Sequence, residues 1–486
     1  MSHYDKNLDK NKANFVPLTP LSFLERAKDI YPNYEALVYE DRKYTWSEIY
    51  KRCTKFASAL EKIGICKGDT VSFLAFNTPE IFEAHYSVPM TGGVLNTINI
   101  RLDAKTIAYI LDHSDAKVLV VDRQLHVEVK KALSTIKRKI IVIDINDKFA
   151  DQSKLQKIGD LEYEEFLNTG DENYIWKMPE DEWQAISLSY TSGTTGNPKG
   201  VILSHLNLLS DSKSISEWFH FNTKTRTLCI LPLYHNNGQI TTLLAPLYQG
   251  GSTVIVQGKV SLLSFWDLVN RFDVTWTSVM ASILSILLSI SKERKDQTLK
   301  AILCGGQILT RTIQKQFEDR FEVPIFEGYG LTETTSFSCI NCFPAEKRRI
   351  GSIGKVLSAN EMSILDKNSK DVGENNVGEI CIRGYNVTIG YLGLKEKNEN
   401  SFRDGWFHSG DFGWKDSDGF FYFQGRKDFL IIKGGENIYP AEIENILYSH
   451  PDIEECAVIG IPHKLLGEDV CSFIKIKNES NLSENE

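Results

Sequence analysis

Apolar positions along this chain follow two different periods. Over residues 44–64 (YTWSEIYKRCTKFASALEKIG), Ile49, Phe56, Leu60 and Ile63 share one face at helical spacing, which predicts an amphipathic helix. Elsewhere the apolar residues form short continuous runs at 71–76, 118–121, 140–143, 228–231, 253–256 and 299–303. These runs are rich in β-branched residues and end at Gly, Asp or Pro, as strands buried on both faces do. Their alternation with helical stretches predicts an α/β protein with largely parallel sheets covered on both sides. The longest apolar stretch, 278–290, is interrupted by serines. It falls short of the roughly 20 apolar residues of a membrane span and reads as a buried helix.

The texture changes near residue 351. Short strands separated by turns (SIGKV, MSILD, GEICIRG, FFYFQG) predict a β-rich subdomain over 351–424. A hinge is expected at 425–428, then a helix at 441–449 and strands at 456–461 and 470–476. Pro440 suits a first helical turn, and Ile443, Ile446 and Leu447 make the apolar face of that helix. The expected division is therefore a large domain over 1–424 and a small α+β domain over 429–486. Ser483 with the acidic residues after it reads as a helix start, so the small domain is expected to be incomplete.

Composition narrows the function classes. The chain has 486 residues and a net charge of -9, from 55 basic and 64 acidic side chains. That balance lacks the basic footprint of a nucleic-acid binder but leaves room for a local cationic pocket. The cysteine count, nine, is odd, and the first twelve residues hold no apolar signal segment. Reduced thiols in a cytoplasmic protein are the expectation. Cys339 and Cys342 form a lone C-x-x-C without the second pair that a zinc site needs, so they read as unlinked thiols.

The densest chemistry lies at Tyr190-Thr-Ser-Gly-Thr-Thr-Gly-Asn-Pro-Lys199-Gly200. Thr191, Ser192, Thr194 and Thr195 offer hydroxyls, Gly193 and Gly196 let backbone wrap an anion, and Lys199 adds charge. Such a loop, placed after the apolar run 185–188, suits a polyphosphate. It is not a Walker A loop, because Lys199 follows Pro198 and precedes Gly200. Further along, Glu333 follows Thr332 in a Gly-flanked turn. A carboxylate beside polyphosphate needs a bridging divalent cation, which makes Glu333 a candidate Mg²⁺ ligand. Tyr329 offers a flat face to a purine, and Gly305-Gly306-Gln307 admits backbone to its other face. Asp411 could accept from both ribose hydroxyls, with Arg426 near the same ribose or a phosphate. On its own, Asp411 reads rather as a turn or cap residue, and His235 rather as a structural histidine. The aromatic residues around Asp411, and His408, read as core.

In this order the motifs resemble those of the AMP-forming, acyl-adenylating enzymes, a superfamily that includes acyl-CoA synthetases. The phosphate loop at 190–200 is joined by Leu231-Pro-Leu-Tyr-His235, Tyr329-Gly-Leu-Thr332-Glu333 and Asp404-Gly-Trp-Phe-His-Ser-Gly-Asp411. Gly425-Arg426-Lys427-Asp428 and Ile432-Lys433-Gly434-Gly435-Glu436 complete the series, so the resemblance covers residue 18 or so to the end. It implies a large domain of two stacked, parallel-rich αβ sheets and a small mobile C-terminal domain. It also implies ATP, Mg²⁺ and coenzyme A as cofactors. Lys199, His235, Thr332 and Glu333 become catalytic, and Asp428 the hinge. Lys433, Gly434, Gly435 and Glu436 become a tunnel for the thiol. His235, Asn236, Gln239, Val279 and Gly330 become the acyl pocket, within segments 236–239, 279–282, 305–307 and 328–331.

The implied reaction joins a carboxylate to ATP, giving acyl-adenylate and pyrophosphate, after which coenzyme A displaces AMP. A neutral His235 stands where amino-acid-activating relatives place an Asp, which argues against an amino-acid substrate. Gly330 stands where acetate-specific relatives place a Trp, so the pocket is expected to be deeper than acetate needs. A short- to medium-chain aliphatic or simple aromatic acid follows, a partner drawn from fatty acid metabolism. The family's further C-terminal lysine lies beyond Glu486 in the expected register, and neither Lys475 nor Lys477 takes its role. A fragment is the expected reason. The other readings are transfer to a non-CoA acceptor and a non-catalytic ATP- and acyl-binding protein. The sequence leaves the oligomeric state open, a homo-oligomer included.

Overall fold

A computed structural model describes residues 3–482 except 12, 194–195, 258–259, 292, 295–297, 435, 449, 451, 465, 478–479 and 481. The expected helix start at Ser483 therefore lies outside the described residues. Among the described residues the large body holds two broad sheets. In the first, the strands Val94–Thr97, Thr70–Leu74, Ala116–Asp122, Ile141–Ile145 and Leu161–Glu162 run parallel to one another and to Ala185–Gly193. Gly196–Ser204 and Gly390–Tyr391 extend that sheet antiparallel at its edge. In the second, Glu35–Tyr39, Ser252–Ile255, Arg226–Cys229, Trp276–Val279, Ala301–Cys304 and Ile325–Tyr329 are parallel neighbours.

One buried cluster draws on both sheets, with Leu95, Val118 and Ile143 from the first and Leu37, Ile255 and Trp276 from the second. Burial of this kind contributes roughly 25 cal/mol per Å² of apolar surface and fixes the two sheets as stacked layers. The helix expected over 44–64 spans Trp46–Lys62 and begins with a capping box between Thr45 and Glu48. Its Ile49, Phe56 and Leu60 are fully buried, and Ile63 packs against the same core.

The stretch 278–290 divides differently from expectation. Trp276–Val279 is a strand, and only Ala281–Ile290 is helical. The β-branched and aromatic residues before Met280 favour the sheet, whereas Ile286 and Ile290 are 41% exposed, so the helix is amphipathic rather than enclosed. No helix among the described residues is long and apolar enough to cross a membrane.

A third sheet, built from Asn360–Leu365, Gly378–Gly384, Phe402–Arg403, Trp406–Lys415 and Phe421–Arg426, corresponds to the expected β-rich subdomain. The short turn Lys427–Phe429 follows, with Asp428 exposed. Beyond it lie four antiparallel strands, Ile431–Lys433, Glu436–Ile438, Ile453–His463 and Gly467–Ile476, and the helix Pro440–Tyr448. Ile446, expected on the buried face of that helix, is 70% exposed. The helix packs on the strand Ile453–His463 of a small sheet, too little cover to enclose Ile446.

Candidate functional site

The polar segment 190–200 is a β-hairpin rather than the expected loop. Strand Ala185–Gly193 pairs antiparallel with Gly196–Ser204, Thr191 opposite Lys199 and Gly193 opposite Gly196. Thr and Ser tolerate extended backbone, so the hydroxyl-rich residues continue the sheet to its tip. Thr194 and Thr195 lie outside the described residues, as does the side chain of Ser192. Lys199 is half-buried on the returning strand, and Gly196 at its start is exposed.

Three other elements converge beside this hairpin. Asn236 accepts from Ser189 Oγ at 3.1 Å and donates from Nδ2 to the Thr332 carbonyl at 3.4 Å. It thereby ties the hairpin strand to the turn that carries Thr332 and Glu333. The second tie is Tyr391, whose hydroxyl donates to Glu333 Oε1 at 2.8 Å. The third is Tyr329, whose hydroxyl donates to Asp411 Oδ2 at 2.7 Å. Arg426 reaches Asp411 Oδ1 at 3.2 Å while remaining half exposed.

Asp411 is buried, and its carboxyl is pushed up to about 6. Desolvation is the largest cause; the Tyr329 hydrogen bond and Arg426 pull against it, and the neighbouring Glu333 and Glu379 charges add to the rise. Glu333 and Asp411 thus feel one another across one cleft. Two oxygen-bearing carboxylates there, one of them with an oxygen beyond the Tyr391 bond, suit a hard divalent cation that also binds phosphate. Asp411 sits after a bulge whose Gly410 N–H donates to Glu379 Oε1 at 3.0 Å, while His408 Nδ1 meets Glu379 Oε2 at 2.8 Å. Glu379, Cys381 and His408 are close enough to share a metal ion. Arg403 already lies 2.9 Å from His408 Nδ1, so the group reads as a brace for the bulge.

His235 faces open space, and crowding by its surroundings, then the positive Arg101, hold its imidazole below the ordinary range. It is neutral near pH 7. Gln239 is buried and spends its amide on Thr97 Oγ1 at 2.9 Å and the Leu233 carbonyl at 2.8 Å. Val279 is fully buried in the second sheet's outer core. Because side chains alternate along a strand, its neighbour Ser278 takes the other face and bonds Asn237 Oδ1 at 2.7 Å. Gln239 and Val279, expected in the acyl pocket, are thus enclosed by the large body, and Ser278 and Asn237 bond one another beside them. Asn237 opens the π-helical segment Asn237–Leu244, a wide winding often found where a site interrupts a helix.

Gly305 and Gly330 are required by packing. A Cβ at Gly305 would lie 2.4 Å from the Phe337 ring, and one at Gly330 would lie 1.7 Å from the Ser336 carbonyl oxygen. Gly306 and Gln307 are exposed, and Gln307 Oε1 accepts from Ser282 N at 3.1 Å. Tyr329 is 8% exposed, its ring in the core of the third sheet.

The remaining expected residues lie apart from this cleft. Lys433 pairs with Asp469 at 2.6 Å. Gly434 has φ of 63° and donates to the Leu466 carbonyl at 2.8 Å, and Glu436 is exposed. Gly435 lies outside the described residues. Sequence reasoning included Asn237 in the segment 236–239 but missed Ser278 and Tyr391. The Tyr391-Leu-Gly segment carries no local mark of a site, and only the fold brings it to Glu333.

Known proteins match this chain along its length. The family described as AMP-binding enzyme matches residues 24–392, and the AMP-binding enzyme C-terminal domain matches residues 442–486. An acetate–CoA ligase of Humulus lupulus is 36% identical, over 97% of this chain and 87% of its own. A peroxisomal trans-cinnamate:CoA ligase of Petunia hybrida is 35% identical, with the same coverage of both. Among solved structures, the o-succinylbenzoate CoA synthetase of Bacillus subtilis bound to its acyl-adenylate has a TM-score of 0.82 at 28% identity, covering 94% of this chain and 89% of that one.

Proposed function

Because the chain belongs to the AMP-binding enzyme family and is a carboxylate–CoA ligase acting through an acyl-adenylate, we propose that its acid is a short- to medium-chain aliphatic or simple aromatic one. ATP, Mg²⁺ and coenzyme A are its cofactors. The observation that carries the substrate reading is Gly330. The Ser336 carbonyl oxygen would clash with any Cβ there, so no side chain projects from that position to shorten the pocket. Relatives named for acetate, butyrate and trans-cinnamate bracket the proposed range.

The residues divide the work as follows. The carboxylate oxygen of the acid attacks the α-phosphorus, and pyrophosphate leaves with the bonding electron pair. Lys199 and the hairpin amides and hydroxyls of Thr191, Ser192, Thr194 and Thr195 hold the phosphates, where fixed charge does most for a transfer of this kind. Thr332 donates to the α-phosphate. Glu333 holds the Mg²⁺ ion, which neutralises phosphate charge when bound. Asp411 accepts from the ribose hydroxyls, and Arg426 keeps it ionised. Gly305, Gly306 and Gln307 give the adenine a backbone wall. His235, neutral, borders the acyl carboxylate with Asn236, Asn237 and Ser278. In the second step the thiol sulfur attacks the acyl carbon, loses its proton, and AMP leaves. Lys433, Gly434, Gly435 and Glu436 line the thiol's approach once residues 429–486 turn about Asp428.

Placement in the cytoplasm is part of the proposal and rests on the cysteines, which are all free. Peroxisomal relatives make the peroxisome the competing site, and fractionation decides between them. The substrate test is thioester formation across an acid panel. Butyrate, hexanoate and cinnamate should exceed acetate in kcat/KM. Acetate as the best substrate, with the longer acids unused, would overturn the substrate reading.

A further inference from the structure

Residues 385–392 run from the third sheet to the edge of the first and grip both loops of the proposed nucleotide site. Gly390 and Tyr391 pair with Ile202 and Val201, on the strand that carries Lys199, and Leu392 N donates to the Gly200 carbonyl at 2.8 Å. On the other side, Thr388 N donates to the Glu333 carbonyl at 2.8 Å. Asn386 Nδ2 donates to the Thr334 carbonyl at 3.2 Å, and Thr335 Oγ1 donates to the Asn386 carbonyl at 2.7 Å. Asn207, on the helix after the hairpin, holds the Tyr385 and Val387 carbonyls at 2.7 and 2.8 Å.

This strap delivers one side chain to the chemistry. Tyr391 is 5% exposed and donates its hydroxyl to Glu333 Oε1.

We infer that Tyr391 is a positioning residue for the divalent cation. Its hydroxyl holds one oxygen of Glu333 and leaves the second, Oε2, to a cation. A free glutamate loses rotamer entropy when it takes a ligand, and a carboxylate already held does not. Outer partners of ligating carboxylates commonly change metal affinity 10–100-fold. The strap also couples the metal to the phosphates, because the same eight residues fix the Lys199 strand and the Glu333 turn. The inference rests on the reading that Glu333 holds Mg²⁺.

The experiment is equilibrium ATP binding to the full chain without acid or coenzyme A, titrated with Mg²⁺. Tyr391→Phe keeps the ring against Phe402 and removes only the hydroxyl. It should raise the Mg²⁺ concentration for half-maximal ATP binding about tenfold, with binding in EDTA unchanged. Glu333→Gln should raise it further, and adding Tyr391→Phe to Glu333→Gln should change nothing more. An unmoved midpoint in Tyr391→Phe beside a raised one in Glu333→Gln overturns the inference alone. A midpoint unmoved in Glu333→Gln overturns the reading of Glu333 itself. Equal weakening of ATP in EDTA would assign Tyr391 to general packing and also overturn the inference.

Discussion

The nucleotide cleft and the C-terminal unit carry motifs of the same family but are built in opposite ways. In the cleft, each proposed group is held by another element: Tyr329 grips Asp411, Tyr391 grips Glu333, and Asn236 joins Ser189 to Thr332. Among the described residues of 429–486, the proposed groups are held within their own sheet. Lys433 pairs with Asp469, Gly434 with Leu466, and Glu468 accepts from Ile432 N at 2.7 Å. Side chains such as Phe473, at 59%, and Ile446 stay exposed there, whereas the cores of the large body are closed. On the proposed roles, the contrast gives the first half-reaction a preorganised site. The second is proposed to depend on movement of residues 429–486, which Glu442 and Tyr439 join to the third sheet through Gln424 and Phe412.

Changes on the nucleotide side should therefore have the larger effects. Lys199→Ala should slow adenylation about 10²–10³-fold, the loss typical of one group aimed at developing charge. Pyrophosphate release with saturating acid measures it, and an unchanged rate would separate Lys199 from the phosphates. Asp411→Asn should weaken nucleotide binding by about 10–100-fold, as expected for hydrogen bonds to a charged acceptor.

Asp411 also sets a pH dependence. Its folded pKa, about 6, stands above the ordinary 3.8, so the ionised form is present above pH 6 and is lost as pH falls through it. Binding of a non-hydrolysable acyl-sulfamoyl adenosine, which has no titrating phosphate, should weaken below about pH 6. Asp411→Asn should flatten that profile, and a wild-type profile flat from pH 5 to 8 would contradict it. For stability the sign is reversed. A raised carboxyl favours folding at low pH and costs stability as pH rises from 3.8 towards 6. The smallest change is expected at His235→Ala, roughly a few-fold in KM for the acid, because a neutral imidazole contributes one contact.

Much of this was legible before the fold. The runs at 71–76 and 118–121 became the parallel strands Thr70–Leu74 and Ala116–Asp122, because buried parallel strands are written as continuous apolar segments. The motif order placed Asp411, Glu333 and Lys199 in separate elements that could converge. What stayed hidden were relations between distant residues. Tyr391 meets Glu333 across 58 residues, and no periodicity reports such a contact. Ser278, not Val279, bonds Asn237 because the alternation of a strand decides which one faces it, and an apolar run read as helix conceals that alternation. The phosphate segment became a hairpin because its hydroxyl residues suit extended backbone as well as they suit a loop.

The division of labour between the two regions is tested most directly at Asp428→Pro, with the two half-reactions measured separately. Proline removes the backbone freedom on which the proposed rotation depends. Pyrophosphate release from ATP and acid should remain near the wild-type rate. Thioester formation from purified acyl-adenylate and coenzyme A should fall by at least about tenfold, in line with hinge changes that limit turnover. Normal rates in both steps, or equal losses in both, would contradict a site whose second half arrives by movement of residues 429–486.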